Sequence, residues 1–382
     1  MKNLTLLATS SIIGLALAEG ILRLAGFHRP IVSMPDEITG NFHRPNIEFL
    51  YTDEGHAEVQ INRFGERDRE HQLLKPDRSY RIAILGDSYA EAFQVNVGDT
   101  FWAILERRLN SCSTFPRPVE VLNFGVSGYG TGQELLTLRH RVWSFAPDLV
   151  ILAFLTGNDI RNNSKELELA DPVRPFFFLD HEGRLQLDDS FKLMPAFVGA
   201  SSLYQKLRLL ADYSRLVQLA SLSKSKAANM LATHVDDAAG IGNGEFGLDD
   251  HVYLPDAGNV WREAWKVTEA LLAQMHREVA GRKGRFVVAT LSNGIQVSPD
   301  PELTNHFMRS RGIEDIFLPD RRIAEIGKRH GFQVISLAPT MQRIAVQQQI
   351  YLHGFGDKLG TGHWNENGHR VAGDLLFGSF CG

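Results

Sequence analysis

With 382 residues, 43% of them hydrophobic and 22% charged, the chain is long enough for a sizeable buried core in one large domain or two ordinary ones. A net charge of -5, with Lys and Arg dispersed and no basic stripe interleaved with aromatics, gives no footing for nucleic acid. The only two cysteines, Cys112 and Cys381, lie too far apart in sequence to form a thiolate zinc site.

The first predicted element is apolar. After Lys2 the chain runs from Leu4 to Ala18 without a charge, followed by Glu19 and the turn Ile21-Leu22-Arg23-Leu24-Ala25. This is the pattern of a signal-peptide core, and Ala16-Leu17-Ala18 offers a cleavage site. The helical pattern runs on past Glu19, however, so residues 1–27 also read as an uncleaved anchor crossing a bilayer at a tilt. Lys2 before the span and Arg23 and Arg29 after it leave the charge bias nearly even. Export with retention by this helix is the expectation. Residues 28–80 hold His, Pro and Asn with few helix signals, and read as an extended arm leading from the membrane to the main domain.

From residue 81 onward the pattern changes. Arg81–Leu85, Val119–Asn123, Leu149–Phe154, Arg285–Thr290 and Gln333–Leu337 are short apolar runs rich in Val and Ile, without alternation, as expected of parallel strands covered on both faces. Helical patterns separate them at Thr100–Asn110, Thr131–Phe145 and Val260–Gly281. Strands alternating with helices predict a doubly wound α/β fold, three layers around a five-stranded parallel sheet. An insertion at about 163–259 interrupts the alternation. It contains Pro175-Phe-Phe-Phe178, a helical stretch at Ser202–Ser221 and Gly240-Ile-Gly-Asn-Gly244. Placed after a strand's carboxyl end, it reads as a cap shaping access to a site, with its aromatics forming the cap's own core.

The candidate site begins where the first strand ends in Gly86-Asp87-Ser88. A serine at that handover from strand to helix lies at the carboxyl edge of the sheet, where open α/β folds bind ligands. Gly-Asp-Ser alone is common. Here it is joined by Asn123-Phe-Gly-Val-Ser-Gly-Tyr-Gly-Thr131, Leu155-Thr-Gly-Asn-Asp159 and Gly362-His-Trp-Asn-Glu-Asn-Gly-His369, in that order. Together these segments resemble the conserved blocks of the SGNH (GDSL) hydrolases. The chain is most similar to the bacterial branch with a hydrophobic N-terminus and an Asn-Arg-x-Gly-x-Arg-Asp stretch, here Asn62 to Asp68. A nucleophile-elbow α/β-hydrolase fits less well, because Gly86-Asp-Ser-Tyr-Ala90 lacks the second glycine.

The resemblance implies the flavodoxin-like SGNH fold over 81–382 and a residue-by-residue site. Ser88 is the expected nucleophile and His363 the base. Ser88, Gly128 and Asn158 are the expected oxyanion donors, the first two through backbone N–H groups and the third through its side chain. Asp87 and Asp159 are read as braces for the loops, and His369 as a structural residue inside the last helix. Asn365 reads as that helix's N-cap. Because the helices after Ser88 and after His363 start at the same sheet edge, Cys112 and Cys381 are expected at the opposite edge, within reach of a disulfide. One departure stands out. The family's Asp three residues before the histidine is Gly360 here, and Thr361 follows it. Asp357, six residues earlier, is the nearest carboxylate before the histidine and the candidate third member; the alternative is a Ser-His dyad oriented by a backbone carbonyl.

The leading expectation is a serine ester hydrolase of the cell envelope, removing O-acetyl groups from a glycan or cleaving a short acyl ester. The alternative is an O-acyltransferase of the same fold acting on an envelope polysaccharide. A third reading, motivated by the missing Asp, is a non-catalytic envelope protein. Neither a metal nor an organic cofactor is implied; the expected partners are a small ester or acylated glycan as substrate and a bacterial membrane met through the N-terminal helix.

Overall fold

A computed structural model of the chain describes residues 2–113, 118–169, 171–224, 227 and 248–381. Helix α1 (Lys2–Leu24) projects with almost every side chain exposed, and its Asn3–Leu24 portion is long and apolar enough to cross a membrane. Strands β1 (Ser33–Asp36) and β2 (Gly40–His43) pair as one antiparallel hairpin, and β3 (Ile47–Tyr51) and β4 (Ala57–Ile61) as a second.

The main domain runs β5 (Tyr80–Gly86), α2 (Ser88–Glu91), α3 (Phe101–Asn110), β6 (Val119–Asn123), α4 (Thr131–His140), β7 (Leu149–Leu155) and α5 (Asp159–Asn162). The insertion supplies a hairpin of β8 (Phe176–Leu179) with β9 (Leu185–Asp188), then α6 (Pro195–Tyr213) and α7, described over 215–224. The alternation then resumes with α8 (Asn259–Gly281), β10 (Arg285–Leu291), α9 (Pro301–Arg311), α10 (Leu318–His330), β11 (Gln333–Ser336), α11 (Ala338–Gln348) and α12 (Glu366–Phe380).

The five expected strands form one parallel sheet in the order β11-β10-β7-β5-β6. Alternate residues of each strand feed two cores. Ile82 and Ile84 pack toward α3, α11 and α12, whereas Ala83 and Leu85 pack toward α4, α8 and α10. Both faces are buried, which is why these runs show no polar alternation. The chain moves from β5 outward to β6 and returns to β7 on the other side of β5, so the carboxyl ends of β5 and β7 flank a topological switch point. Ser88 follows one of those strands and Asn158 the other.

Three sequence expectations meet a different outcome. The helix expected over 131–145 stops at His140, and Val142–Phe145 forms a separate single turn. Tertiary contact overrides the pattern there: Arg141 turns to bond Asp36 at 2.8 Å and to cover the Phe42 ring at 3.6 Å. The helical stretch at 202–221 is broken at Ser214 into α6 and α7. The Gly240–Gly244 segment of the insertion lies outside the described residues.

The third difference concerns residues 28–80, expected as an extended arm, where the chain forms two antiparallel hairpins. Phe49, Val59 and Ile61 are buried with Phe93 against them, and β4 alternates buried and exposed residues along its length. The Asn62–Asp68 stretch locks this layer onto the sheet. Asp68 accepts the Asn123 backbone N–H at 2.9 Å, and the Arg67 carbonyl accepts the Asn123 side-chain amide at 3.0 Å. A motif that precedes the domain in sequence thus buttresses the start of its Asn123–Thr131 loop.

Cys112, just after α3, and Cys381, at the end of α12, are joined in a disulfide with Cα atoms 6.2 Å apart, away from the switch point. The bridge spans a sequence separation of 269 residues. Closing so long a loop restricts the unfolded chain, so Cys112→Ser with Cys381→Ser is expected to lower unfolding stability by about 2–5 kcal/mol. Urea unfolding of the two proteins, compared as extrapolated free energies with the slope fitted separately for each because the unbridged unfolded chain is less compact, checks this.

Candidate active site

Residue by residue, the site assembles at the switch point. Gly86 ends β5, and a Cβ there would meet the Ala153 carbonyl at 2.9 Å and the Ala90 side chain at the same distance. The tight approach lets the chain turn at once into α2. Asp87 caps this helix by accepting the Tyr89 N–H at 2.9 Å, leaving Ser88 as its first residue. The Ser88 hydroxyl lies 2.9 Å from Nε2 of His363.

His363 comes from the loop between α11 and α12, and this loop is braced from within. The Gly362 carbonyl accepts hydrogen bonds from the Tyr89 hydroxyl at 3.1 Å and from His353 Nδ1 at 2.8 Å. Nε2 of His353 in turn meets the Ser292 hydroxyl at 3.0 Å, which also accepts the Trp364 indole N–H at 2.9 Å. Burial pushes the His353 imidazole down to about 4, so it serves as a neutral strut. Asn365 accepts the N–H groups of Asn367 and Gly368 and starts α12 immediately after the histidine.

The carboxylate partner of His363 is Glu54. It lies in the turn between β3 and β4, in the layer expected to be an arm. One oxygen accepts the His363 backbone N–H at 2.8 Å and the other meets Nδ1 at 2.5 Å. Burial alone would raise the Glu54 carboxyl, but its hydrogen bonds and attraction to His363 outweigh this and hold it below the ordinary range. Burial likewise works against a charged His363, yet the Glu54 bond and charge, with Asp87 and Glu91 behind it, hold the imidazole above its ordinary value. Glycine at 362 lets the two approach: its φ is +76°, and a Cβ there would stand 2.1 Å from the Glu54 carboxylate as placed.

Asp357 therefore does not hold the position expected of it. The loop is closed by Gly354 N–H to the His363 carbonyl and by Gly360 N–H to the His353 carbonyl, both at 2.9 Å. This double closure leaves Asp357 exposed at the loop's tip, on the wall of the cleft, while both donors of His363 are taken by Glu54. The backbone-carbonyl alternative fails for the same reason.

Asn158 follows β7 and faces Ser88 across the switch point. Its side-chain amide donates one N–H to Asp87 at 3.0 Å, and the amide carries a second. Asp159 ties the same turn back to its strand by accepting the Leu155 N–H at 2.8 Å. Burial pushes the carboxyls of Asp87, Glu134 and Asp159 upward, most strongly the latter two, which also repel one another.

Gly128 lies in the turn after β6 with φ +77°, a left-handed conformation that glycine alone adopts without strain. Its carbonyl accepts Arg174 Nη1 at 2.7 Å, and the neighbouring Ser127 N–H is held by Glu91 at 2.9 Å. Ser88, Asn158 and His363 line the cleft, whereas Gly128 does not. His369 is buried in α12, stacked on Phe101, with the Phe101 N–H directed at its Nδ1. No cluster of potential metal ligands occurs among the described residues.

The cleft has a volume of about 1510 Å³. Its walls come from the end of β3 and the turn after it (Tyr51, His56), from α9 (Phe307, Arg311) and from the loop before His363 (Phe355). Of the described residues between 163 and 259, only Leu248 reaches it. The insertion acts on the site in another way, through the buried Arg174 that grips Gly128.

No protein-family model matches the chain, and no curated protein matches it. Among solved structures it is similar to LAE5, an alpha/beta hydrolase enzyme from the metagenome of Lake Arreo, Spain. The identity is 13% and the TM-score 0.41, over 81% of this chain and 98% of that one. It is also similar to the acetyl xylan esterase AlAXEase, at 11% identity and TM-score 0.41 over 78% of this chain and 98% of the other. A third is a putative lipolytic protein of the G-D-S-L family from Desulfitobacterium hafniense DCB-2. There the identity is 11% and the TM-score 0.36, over 78% of this chain and 97% of that one. At such distances these proteins do not specify what the site does.

Proposed function

We propose that this chain is a serine ester hydrolase of the SGNH (GDSL) kind, held on the extracytoplasmic side of a membrane by α1. The observation that carries the reading is the hydrogen-bonded series from Ser88 to His363 to Glu54 at the sheet's switch point. Ser88 Oγ attacks the ester carbonyl carbon while its proton passes to His363 Nε2. Glu54 fixes the tautomer with Nδ1–H and stabilises the imidazolium that forms. The charge developing on the carbonyl oxygen is met by the second amide N–H of Asn158 and the backbone N–H of Ser88, both residues of the cleft, with the Gly128 N–H the further donor that the family resemblance implies. The bond to the alcohol then breaks, the alcohol leaves with the proton from His363, and water repeats the sequence on the acyl-enzyme.

A cleft of about 1510 Å³ is far larger than a short acyl group needs, and its walls mix aromatic faces with polar groups. This favours an acyl ester carried on a large polar alcohol, such as an O-acylated glycan. The same room favours the second reading, transfer of the acyl group to a glycan hydroxyl in place of water. The carboxylate that the sequence lacks beside His363 is supplied by Glu54, and this weighs against a silent site.

The test uses the full chain in detergent. A fluorophosphonate is expected to add to the peptide containing Ser88, and p-nitrophenyl acetate to be hydrolysed. Folded protein that takes no label would overturn the assignment of a catalytic serine. Label at Ser88, with acyl groups passing to an added glycan in preference to water, would select the transferase.

A further inference from the structure

We propose that α6 forms a second membrane contact, its outward face lying in the headgroup layer of the bilayer that α1 crosses. This rests on the reading of α1 as an anchor. The two helices are physically joined. Glu19 of α1 accepts the Ser214 hydroxyl at 3.1 Å and the backbone N–H groups of Arg215 and Leu216 at 3.0 Å, so it caps the start of α7. Arg23 bonds Glu19 at 2.8 Å and also reaches the Tyr213 carbonyl, the last residue of α6. The elbow is further fixed to the segment after α1 by Arg29 N–H to Gln218 at 3.0 Å and by an ion pair of Arg44 with Asp212. Wherever the end of α1 lies, the α6–α7 elbow lies with it.

Length then places that end. The uncharged run Asn3–Ala18 spans about 24 Å at ~1.5 Å per residue, short of a hydrocarbon core of about 30 Å. The shortfall of about 6 Å draws Glu19, Arg23 and the elbow into the boundary layer, the depth of about 5–10 Å at which interfacial helices lie.

The outward face of α6 has the matching chemistry. Leu203, Leu210 and Tyr213, at i, i+7 and i+10, fall on one side of the helix and are 50%, 54% and 73% exposed, with no described residue covering them. Lys206 is exposed on the same side, and Leu193, just before the helix start, is also exposed. The opposite side carries the buried Phe197 and the half-buried Tyr204, whose hydroxyl meets Met34. Leucines flanked by a lysine and a terminal tyrosine suit a surface that is apolar below and wet above. On a soluble face they would only be a liability.

The test is collision accessibility of nitroxide labels on the full chain reconstituted in phosphatidylethanolamine–phosphatidylglycerol vesicles. Both native cysteines are bridged, so a new thiol is the one available for labelling. Leu203→Cys and Leu210→Cys are compared with Ile12→Cys in α1 and with the exposed Leu74→Cys in the main body. Labels at 203 and 210 are expected to favour oxygen over a water-soluble nickel chelate several-fold more than the label at 74. If they match 74 while the label at 12 reads as lipid, the anchor stands and this proposal falls. If the label at 12 also reads as water, both fall. Labels at 203 and 210 shielded from both reagents would indicate a protein partner, which likewise overturns the proposal. Thermal midpoints close to wild type establish that the exposed substitutions leave the fold intact.

Discussion

Glu54→Gln is expected to lower kcat for ester turnover by about 10³–10⁴-fold, while Asp357→Asn leaves it within about twofold of wild type. The magnitude follows from what a carboxylate does beside a catalytic imidazole. It holds Nδ1–H in place, so that Nε2 is free to accept the serine proton, and it stabilises the imidazolium; replacing it by an amide in triad enzymes costs about 10⁴. Glu54 contacts both the ring and the backbone of His363, whereas Asp357 lies exposed on the cleft wall. The pH profile gives an independent reading. His363 must be neutral to act as a base, so kcat/KM rises with pH through its titration, which Glu54 holds above the ordinary histidine value. Without that negative partner burial dominates, and the inflexion moves to lower pH. A Glu54→Gln variant that loses activity without an acid shift would indicate a folding defect in the β3–β4 turn instead of the loss of a charge partner.

Why Glu54 is hidden in the sequence, while Ser88 is not, has a physical basis. Ser88, Asn158 and His363 each lie where a regular element begins or ends, and such junctions leave marks: an apolar run that stops, a turn of Gly and Asn, a capping Asn365. The strands of the sheet are legible for the same reason, since burial on both faces imposes unbroken apolar runs. Glu54 meets its partner across 309 residues, through a hairpin that is not part of the sheet, and no local spacing records that pairing. One signal for the hairpin is present. Ala57-Glu-Val-Gln-Ile61 alternates strictly, as a half-buried strand does, and the Asp53-Glu-Gly-His56 turn precedes it. With two strands read on either side of that turn, residues 28–80 become a layer of the domain, and the acid they carry becomes a candidate. Arg174 is less accessible to this reasoning, because a lone arginine in a long insertion looks like a solvated charge until Gly128 is found against it.

Asn158→Ala is expected to reduce kcat by about 10²–10³-fold with little change in KM, since the lost hydrogen bond strengthens only as charge develops on the carbonyl oxygen. The amide is already committed to Asp87 through one N–H, and Asn158 lines the same cleft as Ser88, so its second N–H is the donor under test. Were Asn158 only stabilising its loop, the alanine variant would lose thermal stability and keep its turnover per folded molecule. Asp159 fastens this loop to β7 on its own, through the Leu155 N–H, so truncating Asn158 leaves the turn supported. Asn158→Asp makes the contrast sharper. A second carboxylate facing Asp87 at the distance of the present 3.0 Å bond would repel it and present negative charge to an oxyanion, so its turnover is expected to fall below that of the alanine variant. Steady-state kinetics of the three proteins, normalised to the fraction that reacts with a fluorophosphonate at Ser88, separates a defect in charge stabilisation from one in folding. Equal turnover in Asn158→Ala and wild type would remove Asn158 from the oxyanion site and leave the backbone donors to carry it.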